Sequence, residues 1–218
     1  MQTGRFLLFL IIPACIAFGT ACSGNSSGRD AVFAYRLSSE EKQLLQQGDI
    51  IMRHGYGFVS NTIVKTLAEP YALSHAGIIV IDDKGQIRVI HSVSQSISDF
   101  DGVQEVDLDT FVRDSQPNTL VVVRFRRFSE DTEHPQSVAR RAHYYLEQKI
   151  PFDYSFSFAD STRFFCSELI ARSLSDVFGT HILQSLYPPE MSSLEKLGFA
   201  GFLDPRKFEI IIDHQNNR

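Results

Sequence analysis

Apolar residues recur along this chain with two periods, and the switch between them marks its elements. Ser39, Glu40 and Glu41 precede Leu44 and Leu45, and the run stops at Gly48, which predicts a short capped helix. Gly48 to Arg53 reads as a strand. Ser60 and Asn61 predict the cap of a second helix carrying Ile63, Val64 and Leu67, ended by Pro70. Two strands follow, His75 to Ile81 and Gln86 to Val93, joined by a turn at Asp82 to Gly85. Leu120 to Phe128 predicts a further strand. Pro135 to Ile150 predicts an amphipathic helix through Val138, Ala142, Tyr145 and Leu146. Asp160, Ser161 and Thr162 supply cap candidates for a helix through Phe165, Leu169, Leu174 and Val177 that Gly179 closes. Phe208 to Ile212 predicts a last strand. Strands gathered centrally with helices before and after predict an α+β fold, one antiparallel sheet covered on a face by helices.

The turn carries more information than its length suggests. Asp83, Lys84 and Gly85 fit a three-residue hairpin loop with Gly85 left-handed, which makes Asp82 and Gln86 the closing pair. Register then follows: Gly77 faces His91, Ile79 faces Val89, Ile81 faces Ile87 and His75 faces Val93. Residues opposite one another share a sheet face, so both histidines join the face of Ile79, Ile81, Ile87 and Val89 as diagonal neighbours. Gly77 beside His91 leaves room for contact between the rings. A two-residue loop would slip the register by one and separate them.

The chain's beginning reads as an address. Arg5 precedes the apolar run from Phe6 to Phe18, broken by Pro13, and Gly19, Thr20 and Ala21 lead into Cys22. That layout predicts a signal peptide over residues 1–21. It is too short and interrupted for a spanning helix, which needs about 20 apolar residues. A cysteine directly after the small residues resembles a bacterial lipobox, which makes Cys22 a lipidation candidate; the alternative is a plain signal peptide. Residues 22–36, rich in Ser and Gly at their start, predict a tether, and residues 37–218 the folded domain. Ser23 after the cysteine predicts an outer-membrane lipoprotein facing the periplasm. Hydrophobic residues make up 43% and charged residues 22%, as in ordinary globular domains, and the net charge of -5 excludes a large phosphate-neutralising surface and hence nucleic acid as a partner.

With Cys15 inside the signal and Cys22 at its edge, Cys166 is the one cysteine of the expected domain and has no disulfide partner there. It is either a small buried hydrophobe or a nucleophile. Its place near the start of a predicted helix favours a thiolate, because unpaired N–H groups and the dipole lower a thiol pKa. Two histidines on an apolar sheet face need partners. The joint pattern therefore predicts Cys166 as nucleophile, His75 as base and His91 as the group that orients it, with helix N–H groups for an oxyanion.

The ordered pieces Gly48-Asp49-Ile50-Ile51, Ser74-His75-Ala76-Gly77-Ile78, Val89-Ile90-His91, Pro151-Phe152-Asp153-Tyr154 and Phe165-Cys166-Ser167-Glu168-Leu169 resemble the circularly permuted branch of the NlpC-type papain-like peptidases, YiiX-like and YaeF-like. The resemblance implies a thiol hydrolase that works without a cofactor. It also implies Cys166, His75 and His91 in the roles just given, His91 filling a slot that relatives vary. Within such a family the substrate is a peptide, an amide or an acyl lipid. For an envelope lipoprotein a peptidoglycan stem peptide is the first expectation, and a lipid-directed thioesterase or acyltransferase the second. The chain is expected to be a monomer held at the membrane by its anchor.

Phe152, Phe156, Phe158, Phe164 and Phe165 surround the nucleophile in sequence; they line an acyl pocket or, as the default, form plain core. A reading of another class joins His54, His75, His91 and Cys166 as a zinc site in a noncatalytic module, although no close metal-ligand spacing supports it. Asp49 is expected to fix a turn, Asp153 and Glu168 to be solvated or capping. His134, His143, His181 and His214 are expected at the surface or in packing.

Overall fold

The computed structural model describes residues 35–192 and 194–216. The signal peptide over 1–21, Cys22 and the tether as far as residue 34 lie outside the described residues. No helix among those described is long and apolar enough to cross a membrane.

Helix α1 (Ser39–Leu44) opens with a capping box: Ser38 Oγ accepts from Glu41 N, and the Glu41 carboxylate accepts from Ser38 N. Strand β1 (Ile50–Arg53) follows, then α2 (Gly57–Leu67), β2 (His75–Ile81), β3 (Ile87–Val93), β4 (Gly102–Asp107), α3 (Leu108–Arg113), β5 (Val121–Phe125), α4 (Glu133–Glu147), α5 (Cys166–Phe178), α6 (His181–Leu186) and β6 (Phe208–Asp213). The six strands form one sheet in the order β4-β3-β2-β1-β5-β6, every neighbouring pair antiparallel.

The β2–β3 hairpin has the expected register, with Ile79 opposite Val89 and Ile81 opposite Ile87. Gly85 takes φ +75°, its N–H donates to Asp82 O at 2.9 Å, and Asp82 N donates to Gln86 O at 3.0 Å, closing the loop at the expected pair.

The sheet is covered on both faces rather than one. Ile50, Met52, Ile78 and Ile90 pack on the α4–α5 side with Ala142, Leu169, Ile170 and Leu174. Ile51, Ile79, Val89 and Val122 pack on the other side with Leu45, Leu108, Phe111 and Val112 from α1, α3 and their flanks. Unbroken apolar runs such as Ile78-Ile79-Val80-Ile81 and Val121-Val122-Val123 fill both parities of a strand, as burial on both faces requires.

Other boundaries moved for local reasons. Helix α2 starts at Gly57, not Ser60, because Asn61 Oδ1 answers His54 and Gln116 instead of a helix end. The β5 strand ends at Phe125, and Arg126–Glu130 wind into a 3-10 turn. Helix α5 starts at Cys166 and Asp160 does not cap it; Asp160 Oδ1 accepts instead from Thr162 N and Oγ1, turning the preceding loop on itself. Strand β4, with polar Gln104 and Glu105 in its centre, and helix α3 have no clear apolar period and were not expected.

Candidate active site

Cys166 is the first residue of α5, after Phe165 in extended conformation, and no side chain caps this end. The segment before it is tied to the sheet where Ser92 Oγ on β3 donates to Phe164 O at 2.6 Å. His75 opens β2 and His91 lies within β3, and the Nε2 of His75 is 2.7 Å from the Nδ1 of His91. Their rings meet edge to face with centroids 5.0 Å apart, and each lies 5.7 Å from the Phe111 ring of α3. Gly77 makes this possible: a Cβ there would come within 2.5 Å of Val89 Cγ1 and 3.2 Å of His91 Cβ.

Strand alternation assigns both imidazoles to the Phe111 side of the sheet, whereas α5 packs on the opposite side. Cys166 and His75 nevertheless both line one cavity of about 380 Å³, at the His75 end of β2. Among the described residues no hydrogen bond joins the thiol to either ring, and His75 Nδ1 has no protein partner. The N–H groups of Ala76, Ser167 and Cys166 itself act on the sulfur.

Burial dominates the electrostatics. It pushes the Cys166 thiol up to about 11, against the downward pull of those N–H groups and of Arg53. It drives His75 well below its ordinary value, helped by His91 and Arg53, and drives His91 down to about 3, helped by Arg53. These shifts run against the expected resting thiolate at the helix start and favour a thiol and a neutral imidazole at neutral pH. Withdrawal from water outweighs a helix end whose field acts over a single turn.

The cavity wall is apolar. Val59, Ile63 and Leu67 of α2 form one side, and Phe152, Phe156 and Phe165 another. The five phenylalanines near Cys166 in sequence therefore divide: these three line the cavity, while Phe164 is core and Phe158 packs on Tyr187 with centroids 4.3 Å apart. Among the described residues no Asp, Glu, Lys or Arg contributes to the wall.

The remaining polar candidates are structural. Asp49 accepts from Arg124 Nε and Nη2 at 2.8 Å and from Gln46 N at 2.8 Å, fixing the turn into β1 as expected. Asp153 accepts from Ser155 N, Ser155 Oγ and Ser157 N. Glu168 is not solvated: in the first turn of α5 its side chain is fully buried, reached by the backbone N–H of the N-cap residue Phe165 and paired with Arg172 at 3.0 Å, and burial raises its carboxyl to about 8 despite these partners. His134 packs on Phe178, and His214 bonds Glu41. His54 bonds Asn61 and Gln116 rather than joining the other histidines. Two features had no clear signal in the sequence, Phe111 beneath the imidazoles and Arg53, which pairs with His75 across β1 and β2.

A model of the family described as permuted papain-like amidase enzyme, YaeF/YiiX, C92 family, matches residues 44–193. Among solved structures, the crystal structure of the metalloprotein YiiX from Escherichia coli O157:H7 is similar with a TM-score of 0.56 at 20% identity, over 77% of this chain and 97% of that one. No curated protein sequence matches the chain. The neighbour is described as a metalloprotein; among the described residues here, no group of three or more His, Cys, Asp or Glu side chains is placed to hold a metal ion. The family match spans well over half of the chain and takes in both histidine strands and the cysteine helix, so the chain belongs to the permuted papain-like amidases of the YaeF/YiiX type and is a thiol hydrolase of amides.

Proposed function

We propose that Cys166 is the nucleophile, His75 its general base and His91 the group that orients His75, in hydrolysis of an amide whose acyl part is apolar. The observation that carries this reading is the cavity itself: Cys166 and His75 both line it, and the rest of its surface is mostly hydrocarbon, with scattered Ser and Thr hydroxyls and Tyr154. In the first step the thiol passes its proton to His75 Nδ1 as sulfur attacks the amide carbon. N–H groups at the start of α5 would receive the oxyanion. Collapse breaks the C–N bond, and the amine leaves with the proton from His75. Water, deprotonated by the same imidazole, then releases the acid from the thioester.

A peptidoglycan stem peptide, the first expectation from the sequence, becomes the second. Stem peptides carry charged groups on the acyl side of their amides as well, and the uncharged wall beside Cys166 gives those charges nothing in exchange for lost hydration. An envelope location through a lipidated Cys22, at the outer membrane, fits an acyl substrate because it would hold the cavity beside a lipid surface.

The test compares N-acyl amides of two to twelve acyl carbons, the matching esters and disaccharide-tetrapeptide muropeptides as substrates of the purified protein. We expect kcat/KM for the amides to rise by about fourfold per buried methylene until the cavity is full. Faster cleavage of muropeptides, or no gain with chain length, overturns the acyl reading.

A further inference from the structure

Arg53 ends β1 directly opposite His75. Its side chain is buried, only 8% exposed, with the guanidinium 4.4 Å above the Phe111 ring. Nη1 donates to Phe111 O at 3.0 Å, Nε is buried with no partner, and no carboxylate forms an ion pair with it among the described residues. A cation this far from water without a counter-anion is costly, and its planar fork suits the oxygens of a carboxylate or phosphate.

The group is not sealed in. Arg53 lines a second cavity of about 250 Å³ with Gly55, Tyr56, Ser60, Ser74 and His75. Tyr56 immediately precedes α2, and Ser60 lies in its first turn. That helix end has no side-chain cap and no acidic residue in its first turn, so its free N–H groups add positive potential beside the guanidinium. Among the described residues the one opposing charge on the wall is Asp114, exposed, whose carboxylate pairs loosely with Arg113 at 4.0 Å. Ser74, His75, Val93 and Ile97 line both cavities, so the apolar and the cationic spaces meet at His75.

We propose that the Arg53 cavity is an anion subsite, which receives a carboxylate or phosphate carried on the amine side of the scissile amide. This rests on the reading of Cys166 and His75 as the reacting pair, and it narrows the substrate to an acyl chain joined through an amide to an anionic amine, such as an N-acyl amino acid or an N-acyl phosphoethanolamine. With the acyl chain in the apolar cavity, the amine fragment of an amide held at His75 extends into the Arg53 cavity.

The experiment measures binding separately from turnover. Calorimetry on the Cys166→Ala protein compares N-decanoylglycine, N-decanoyl-phosphoethanolamine and the neutral N-decanoylglycinamide. We expect one anionic ligand to bind at least about tenfold tighter than the neutral one, as a charge-assisted contact implies. The tighter of the two identifies the anion as carboxylate or phosphate. Arg53→Gln should erase the preference, and Asp114→Asn, an exposed change that keeps the fold, should increase it a few-fold. Equal affinity for all three ligands overturns the subsite whether or not Arg53→Gln folds. So does a preference that survives in folded Arg53→Gln. Anion-selective binding with no hydrolysis by the intact protein would retain the subsite and reject the amide reading. Hydrolysis with the same kcat/KM for charged and neutral amides would do the reverse.

Discussion

His75 Nε2 and His91 Nδ1 lie 2.7 Å apart, so only one of these two nitrogens carries the proton between them. For His75 to accept a proton at Nδ1, its own hydrogen must sit on Nε2 and be taken up by His91 Nδ1. In the proposed roles His91 would act as an acceptor that selects the tautomer of His75. Its Nε2, buried without a partner, would then carry a hydrogen with nowhere to donate. That cost is one a neutral acceptor of another kind would avoid.

This arrangement ranks the substitutions. Cys166→Ala should abolish amide hydrolysis, and His75→Ala should lower kcat/KM by about 10²–10⁴-fold, the usual contribution of a positioned base. His91→Ala should cost less, and His91→Asn, whose amide oxygen can also accept, should recover part of the loss. Steady-state kinetics and labelling of Cys166 by an active-site thiol probe measure both. Equal labelling of the parent, His75→Ala and His91→Ala proteins would falsify the base assignment.

The neutral resting pair has a pH signature. Burial holds His75 well below 6.5, so kcat/KM should keep its neutral value as pH falls through 6.5 and decline only in more acid solution. With the thiol pushed up to about 11, alkylation of the free protein by iodoacetamide should go on accelerating above pH 9. A labelling rate that is flat from pH 6 to 9 would reveal a thiolate already formed and contradict the electrostatics described above.

Gly77→Ala tests the room left for the ring contact. The new Cβ would lie 2.5 Å from Val89 Cγ1 and 3.0 Å from the Ile90 carbonyl oxygen, and the backbone atom cannot rotate away. Overpacking of this kind costs about 1–3 kcal/mol, and here the strain falls on the strand that carries His91. Urea denaturation should show the loss, and kcat/KM should fall in the folded fraction. A variant as stable and active as the parent would mean that the two strands can separate without disturbing the imidazoles.

Two buried groups near the site should tilt stability with pH in opposite directions. His91 has a folded pKa of about 3, below its ordinary 6.5, so its neutral burial contributes fully above pH 6.5 and is lost as pH falls toward 3. Glu168 has a folded pKa of about 8, above its ordinary 4.5, so its contribution is full below pH 4.5 and is lost as pH rises toward 8. Each slope is at most about 1.4 kcal/mol per pH unit. Glu168→Gln should remove the decline between pH 6.5 and 8 in urea midpoints. An unchanged decline in that variant would assign the slope to another group.

The hairpin shows how far local sequence reaches. Loop length and the left-handed Gly85 settle the register, and the register alone makes His75 and His91 neighbours. The position of Cys166 near a helix start was also legible, although the cap was not. Asp160 satisfies a nearby loop instead, because two donors of Thr162 are closer at hand than the helix end. Helix α3 was missed for want of an apolar period, and with it Phe111, the surface on which both imidazoles and Arg53 rest.

By itself, then, the sequence determined what short-range geometry controls: strand alternation, a turn that fixes a pairing, a lone cysteine set to begin a helix, and the order of motifs that marks the family. Only the tertiary structure decided that β1 lies beside β2 and brings Arg53 opposite His75. It alone put α5 on the face away from the imidazoles, so that thiol and ring share only a cavity at a strand end, and built the apolar wall from α2 and the loop before Cys166. The protonation states belong to that second group, because the dominant influence on each is loss of water, and what excludes water from a side chain comes from segments far away in sequence.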